Sequence, residues 1–409
     1  MQQTLVVIGG GAAGFFCAVN AARMNPRLRV ILLEKTGKLL SKVKVSGGGR
    51  CNTTHACFEI PELAKRYPRG QNFLKKSFHW FNTNDTITWF AERGVMLKTE
   101  EDGRMFPETD NSQTIIDCLL READAYHVAV QLHKEVIGIQ KKESGFEIAL
   151  QQGTMLADFI CVATGGYPKS AMFEWLRVTG HKIAEPVPSL FTFNIPGHPI
   201  TNLMGVSVPN AAVKIASTKL AEKGPLLITH WGLSGPVILR LSAWGARILA
   251  EKQYTFTIFV NWLGEETETT LRDRWSQIRD EYSSQKMGNK NPFQLPSRLW
   301  NYLLESSNIS AETRWAGLTS KMQHKLIQNL TGLELSVKGK TTFKEEFVTC
   351  GGIELADIDP STMQSKKLPG LFFAGEVMDV DGITGGFNFQ NAWTSGFLAA
   401  NTIAKQAQS

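Results

Sequence analysis

The run TLVVIGGGAAG at residues 4–14, followed by LRVILLE at residues 28–34, decides the fold. Thr4 to Gly9 is a short β-branched run ending in glycine. Ala12 to Met24 has the composition of a helix, and Leu28 to Glu34 is a second apolar run. Strand, glycine-rich turn, helix and strand within about 30 residues is the size of a βαβ unit. Parallel strands buried on both faces read as continuous apolar runs, as these do. Gly9-Gly10-Gly11-Ala12-Ala13-Gly14 also fits G-x-G-x-x-G, a weak pattern alone but a specific one between a strand and a helix. Gly9 permits the tight turn, Gly11 lets backbone approach a pyrophosphate, and Gly14, with Ala18 after it, lets helix and strand come close. Ala12 and Ala13 place free N–H groups and the positive helix end at the same point. Glu34, 20 residues after Gly14 and followed by Lys35, can accept hydrogen bonds from a ribose diol and would repel a 2′-phosphate.

Outward from this unit, helical periodicity is expected at residues 72–82, 85–93 and 112–126. Residues 135–140, 146–151 and 155–163 read as an antiparallel meander turning at Gly145 and Gly153, and Thr164-Gly165-Gly166 closes beside the nucleotide. From Phe191 to Thr229 short β-like runs alternate with Gly and Pro, as in a small sheet or barrel. Residues 236–250, 266–285, 296–305 and 311–330 look helical, and 254–262 looks like a strand. β character returns after Lys344 and ends in LFFA at 371–374, before a last helix over 388–404.

The far end of the chain distinguishes FAD from NAD. Gly375-Glu376 can bring a carboxylate to a ribityl chain. Gly385-Gly386-Phe387-Asn388, opening the last helix, can place positive potential near flavin N1 and O2. NAD needs one compact domain, whereas a ligand gripped by both ends of a 409-residue chain is long, as FAD is. No second strand-linked G-x-G-x-x-G is present to mark a separate nicotinamide domain.

Other segments narrow the class. With 43% hydrophobic and 20% charged residues the chain is ordinary globular protein, not disorder, collagen or coiled coil. No apolar run reaches the roughly 18 residues needed to cross a bilayer, and the start lacks a basic signal-peptide region, so a cytoplasmic protein without membrane association is expected. Six cysteines without a CxxC pair, and no HxxxH or HExxH, argue against a disulfide framework and a metal site. Between Phe191 and Lys344 there are 18 Lys/Arg and 11 Asp/Glu, so the whole +6 excess belongs to the middle of the chain. Such a region suits an anionic partner such as nucleic acid, or is simply a solvated basic face.

The sequence resembles the bacterial flavoproteins known as BaiN-like or aminoacetone-oxidase-like FAD-dependent oxidoreductases. The resemblance covers nearly the whole chain. It rests on SGGGRCN at residues 46–52, GRMFP at 103–107, THWGLSGP at 229–236, and GEVMDVDG at 375–382 with GGFN at 385–388. It implies a Rossmann-like α/β FAD domain built from both chain ends, with barrel-like and helical insertions between. The implied boundaries are 1–190 with 345–409 for FAD, 191–265 for a β-rich insertion and 266–344 for a helical one. Activities associated with the family are amine oxidation, reduction of conjugated double bonds in steroid acids, and dihydrouridine formation in ribosomal RNA. The resemblance also places the backbone of Val136 against adenine.

Ser46, Gly47, Gly48, Arg50, Cys51 and Asn52 read as a glycine-rich loop lying on the flavin or its pyrophosphate, with Arg50 neutralising phosphate charge. Cys51 reads two ways, as a thiol that protonates substrate, helped if Arg50 lowers its pKa, or as a thiol that merely packs. His230, before Trp231-Gly232, reads either as an acid–base group at a strand end or as a structural histidine. The reaction expected is hydride transfer at flavin N5, with NAD(P)H as outside reductant and a small enone or an RNA uracil as acceptor. The alternatives are an oxidase of a small amine such as aminoacetone, and a flavin-bearing RNA- or protein-binding module. No residue pattern bears on oligomeric state.

Overall fold

The two apolar runs of the opening stretch form neighbouring parallel strands, Thr4–Ile8 and Arg29–Leu33, with Ile8 level with Leu33. The computed structural model describes residues 2–342 and 348–408, so the expected boundary at 344/345 lies outside the described residues. Two units divide the chain: Met1–Ser189 with Phe343–Ser409, and Leu190–Thr342.

In the first unit a five-stranded parallel sheet runs in the order Leu371–Phe373, Phe159–Val162, Thr4–Ile8, Arg29–Leu33, Ala129–Gln131. Its inner strands are buried on both faces, which accounts for their unbroken apolar sequences. The chain steps from Thr4–Ile8 towards one edge, then returns on the other side. Strand order therefore reverses between Thr4–Ile8 and Phe159–Val162, and α/β sheets bind ligands outside the carboxyl ends at such a reversal. Gly9, Glu34, Ala163 and Ala374 each follow directly on one of those strand ends.

The helix Ala12–Met24 has no polar stripe, because every residue from Ala13 to Ala22 is buried. Asn20 is the polar exception, and it donates to the Phe16 carbonyl (2.8 Å) and accepts from Trp89 Nε1 (3.0 Å). The last helix, Phe387–Gln406, crosses it at close range. A Cβ on Gly396 would lie 2.7 Å from the Ala13 carbonyl oxygen, and a Cβ on Gly14 would overlap the Gly9 carbonyl oxygen.

Residues 155–163, expected to be one strand, divide at Asp158. Thr154–Ala157 completes the antiparallel meander with Val136–Lys141 and Phe146–Leu150, while Phe159–Val162 enters the parallel sheet. Asp158 makes the corner, accepting from the Thr4 N–H through Oδ2 (2.7 Å) and donating its own N–H to the Thr4 carbonyl (2.9 Å). A third small sheet pairs Arg104–Pro107 with Thr54–His55 and Leu97–Thr99.

The second unit holds a seven-stranded antiparallel sheet that closes on itself. Its first and last strands, Leu333–Lys338 and Lys340–Thr341, are separated only by Gly339. Gly339 donates to the Tyr254 carbonyl (2.8 Å) and accepts from Asn194 (3.2 Å), so one strand pairs on both sides. Both strands come from the stretch expected to be helical. Leu333, Leu335 and Val337 alternate inward with Glu334, Ser336 and Lys338 outward, a period of two that three preceding helices mask. The helix expected over 311–330 begins only at Ser320, where Thr319 accepts from Met322 N–H (3.3 Å), and residues 236–250 break at Gly245. Trp275, Trp300 and Trp315 pack together in the core, whereas Trp80, just past the helix Gln71–Ser77, is 64% exposed.

In the first unit Asp381 is fully buried and held by Arg69, whose Nε lies 2.6 Å from Oδ1 and whose Nη2 reaches Oδ2, and by Ser189 Oγ (2.7 Å). Burial raises the carboxyl pKa, and Arg69 opposes this without cancelling it. The folded state thus binds this proton more tightly than the unfolded chain, and the group's contribution falls as pH rises from about 4. Arg69→Met leaves the carboxylate uncompensated and should cost about 3–5 kcal/mol at neutral pH. Denaturant unfolding of variant and parent should show the deficit shrinking towards about pH 4; a deficit that does not change with pH contradicts this account.

Candidate functional site

At the carboxyl end of the parallel sheet, Gly9 adopts φ +117° and donates to the Leu33 carbonyl (2.8 Å), which turns the chain into the helix. Gly11 differs in kind. Its φ is −94°, and a Cβ there would meet nothing within 4 Å. No demand inside the protein calls for glycine at that place, and the open space leaves the backbone there accessible to a ligand. The first backbone bond of the helix runs from Phe15 to Gly11, which leaves the N–H groups of Ala12, Ala13 and Gly14 without intrahelical acceptors. Glu34 sits beside them. Its Oε2 accepts from Gly10 N–H (2.9 Å), and its Oε1 accepts from the N–H and hydroxyl of Thr36 (both 2.8 Å). The carboxylate is therefore fixed in place with one acceptor position, on Oε2, to spare.

Beside Glu34 a cavity of about 560 Å³ opens in the same unit. Gly9, Glu34, Lys35, Val136 and Thr164 all line it, so five residues expected on the adenosine half of the cofactor meet in one place. Tyr167 and Trp175 complete the wall, and Lys35 Nζ lies 5.8 Å from the Tyr167 ring centroid. Neither ring was anticipated, although Tyr167 directly follows Gly165-Gly166.

Residues Ser46 to Gly49 interrupt a helix that starts at Ser41: Ser46 is extended, and Gly47, Gly48 and Gly49 have φ of +60°, +70° and +86°. A Cβ on Gly48, Gly49 or Gly165 would meet nothing within 4 Å, as at Gly11. Gly166 instead packs on Thr349 and Glu376. Thr349 Oγ1, buried there, has no hydrogen-bond partner among the described residues.

At this loop the structure places two of the expected side chains against partners inside the protein. Arg50 does not present a free charge: it bonds Glu100 (2.5 Å), lies 3.6 Å from Asp110 and covers the Phe106 ring at 4.0 Å. Cys51 is not an activated thiol, because full burial pushes its pKa up to about 11 and Arg50 is turned towards its carboxylates. The packing reading of Cys51 fits this environment. Glu376, from the C-terminal segment, accepts from Lys42 (2.7 Å) and from Thr349 N–H (2.7 Å).

The glycine-rich loop and the C-terminal turn are sewn together. In the amide orientation that satisfies both partners, Asn52 accepts from Gly386 N–H (3.0 Å) and donates to the Thr54 carbonyl (3.0 Å). Trp393 Nε1 donates to the Thr53 carbonyl (2.9 Å), and Thr54 Oγ1 donates to Gln390 (2.6 Å). Gly386 has φ +94°, and a Cβ would overlap the Thr54 carbonyl. Phe387 is buried, and its carbonyl accepts from Tyr67 (2.7 Å). Asn388 clamps Gly382, accepting from its N–H (2.8 Å) and donating to its carbonyl (3.0 Å). Gly375 donates to Ser395 Oγ (2.8 Å) and sits where a Cβ would lie 2.9 Å from that of Ala13.

In the second unit His230 and Trp231 form the two-residue turn between strands Ala221–Thr229 and Gly232–Ser234. The turn opens a strand before the helix at Pro236, not the helix directly. The imidazole is exposed and packs edge-on against Trp231, with centroids 4.0 Å apart. Among the described residues no three His, Cys, Asp or Glu side chains gather to hold a metal, and no helix is long and apolar enough to cross a membrane.

A parallel sheet with an open glycine turn at its reversal is a dinucleotide-binding architecture, and the family this chain matches makes it an FAD-dependent oxidoreductase. The chain belongs to the HI0933-like Rossmann-domain family, which it matches over residues 3–402. It is 31% identical to the ribosomal RNA dihydrouridine synthase of Escherichia coli K12, over 97% of both chains. It is 28% identical to a 3-dehydro-bile acid delta(4,6)-reductase of Clostridium scindens, over 98% of both. A 3-ketosteroid-delta4-(5alpha)-dehydrogenase from Rhodococcus jostii shares the fold, with a TM-score of 0.51, 12% identity and 97% of both chains covered.

Glu34→Ala should weaken FAD binding more than it alters flavin reduction. Losing a charge-assisted hydrogen bond to the ribose costs on the order of 1.5–3 kcal/mol, or roughly 10- to 150-fold in Kd. Quenching of FAD fluorescence by the apoprotein measures this, and an unchanged Kd means that Glu34 does not meet the ribose.

Proposed function

We propose that this protein reduces a carbon–carbon double bond conjugated to a carbonyl, and that the acceptor is a uracil in RNA. The observation that carries the reading is the end-to-end match to two relatives named for such products: a dihydrouridine synthase acting on ribosomal RNA, and a bile-acid reductase. Both chemistries add hydrogen across an activated double bond. The excess of seven positive charges between Phe191 and Lys344 supports the polyanionic acceptor over a steroid acid.

In this reading the chain's own residues divide the work. The first turn of Ala12–Met24, with Gly11 and Glu34, holds the ADP half of FAD, and Val136 and Thr164 flank the adenine. The segments around Gly375 and Gly386–Asn388 hold the ribityl chain and ring. Bound FAD supplies the hydride chemistry, recharged by NAD(P)H. Hydride arrival at a carbon leaves developing negative charge on the substrate, which an acid must neutralise. His230, exposed at the tip of a short hairpin, is the proposed donor.

The test reduces the purified yellow protein anaerobically with NAD(P)H and then offers, separately, unmodified ribosomal RNA, a small enone and O₂. Fast reoxidation by RNA with dihydrouridine formed supports the proposal; reoxidation by O₂ alone makes the protein an oxidase. His230→Ala should keep FAD and its reduction by NAD(P)H but slow RNA-dependent reoxidation by at least about 100-fold. Loss of FAD in that variant would make His230 structural.

A further inference from the structure

We infer that His55 is a positioning residue for the flavin: its Nδ1–H holds the Gly385 carbonyl and so fixes the turn that opens the last helix. This rests on the reading above that the Gly385–Asn388 turn receives the flavin end of FAD. Nδ1 lies 2.9 Å from the Gly385 carbonyl oxygen. A carbonyl only accepts, so Nδ1 carries the hydrogen in this pair. The same ring lies on Phe387, with centroids 4.6 Å apart and planes 31° from parallel. His55 thus touches the residues on both sides of Gly386.

Why the turn needs holding follows from its composition. Gly385 and Gly386 have φ of +128° and +94°, conformations that glycine adopts freely and leaves as freely. Three ties restrain them, all from the stretch 52–67: Asn52 on Gly386 N–H, His55 on the Gly385 carbonyl, and Tyr67 on the Phe387 carbonyl. Beyond the turn, the first intrahelical bond runs from Gln390 to Gly386. The N–H groups of Phe387, Asn388 and Phe389 therefore precede it, and their direction depends on how the turn is set.

The inference also explains a motif that cofactor binding left unused. In GRMFP, Arg104 pairs with His55 in the small sheet. A Cβ on Gly103 would lie 2.6 Å from His55 Nε2, so the glycine leaves room for the imidazole. Burial lowers the ring's pKa; Arg66 and Arg104 act in the same direction, while the Gly385 bond and Asp102 oppose it. The imidazole is neutral at physiological pH, with Nδ1 as its donor.

The experiment uses the full-length protein and four variants. Asparagine can place an amide N–H where Nδ1 stands, whereas glutamine places it near Nε2. His55→Ala should raise the Kd for FAD by roughly 2- to 12-fold, the worth of one neutral hydrogen bond, and shift the absorption bands of the bound oxidised flavin. It should leave the Kd for ADP unchanged. His55→Asn should restore FAD affinity and bands, His55→Gln should not, and Gly103→Ala should resemble His55→Ala. Equal loss in the Asn, Gln and Ala variants overturns the inference, because ring packing rather than the hydrogen bond would then matter. So does wild-type affinity with unshifted bands in His55→Ala. Hydrogen exchange on the unaltered protein separates the underlying reading: FAD should slow exchange at residues 385–389. Absence of that protection overturns the placement of the flavin, and the inference with it.

Discussion

Everything in the cofactor-binding unit depends on one steric constraint, the missing Cβ atoms where the first helix meets the strand turn before it and the C-terminal segments packed on it. Gly396 lies on the Ala13 carbonyl, Gly14 on the Gly9 carbonyl, and Gly375 on the Ala13 methyl group. A side chain at Gly14 or Gly396 would meet rigid backbone rather than a flexible neighbour, and interiors this dense do not absorb such a clash cheaply. The crossing brings residues from the two ends of the sequence to the carboxyl end of one sheet. The pyrophosphate turn and the second glycine turn can then serve the same cofactor.

The remaining contacts reinforce this meeting. Asn52, Thr53 and Thr54 reach Gly386, Trp393 and Gln390, so a loop early in the chain is hydrogen-bonded to the first turns of the last helix. Buried polar side chains inside such a seam are costly unless fully paired. Gln390 accepts from Thr54 and Thr86 and donates to Thr394, which satisfies its amide completely enough to be carried at no exposure. Polar residues in this core act as fasteners between segments distant in sequence.

The parallel sheet was legible at Thr4–Ile8, Arg29–Leu33 and Leu371–Phe373, short apolar runs with glycine or acid close behind, whereas Phe159–Val162 was hidden in the end of the meander and Ala129–Gln131 gave no sign. Gly9, Gly11, Gly14 and Glu34 each mark a physical demand by residue type, and the cavity beside Glu34 also holds Val136 and Thr164. What stayed hidden depended on pairing. Leu333–Lys338 alternates plainly, yet its place in a closed sheet needs Gly339, which carries no signal of its own. Arg50 beside Cys51 suggested an activated thiol, but Glu100 and Phe106, fifty residues on, decide where that charge points. His55 has nothing notable among its sequence neighbours, and its partner Gly385 lies at the other end of the chain.

The last helix also sets an order of events during synthesis. The Leu190–Thr342 unit takes all its strands and helices from one continuous stretch, whereas the cofactor-binding unit cannot close its crossing until Phe387–Gln406 has been made. At ~5–20 residues per second, on the order of tens of seconds separate translation of the Gly9–Gly14 turn from translation of the helix that packs on it. Through that interval the part of Ala12–Met24 that packs on the last helix stays uncovered, although Phe81, Trp89 and Phe90 can already reach Phe16. A chain that ends before Phe387 therefore carries the Gly9–Gly14 turn without the helix that packs on it.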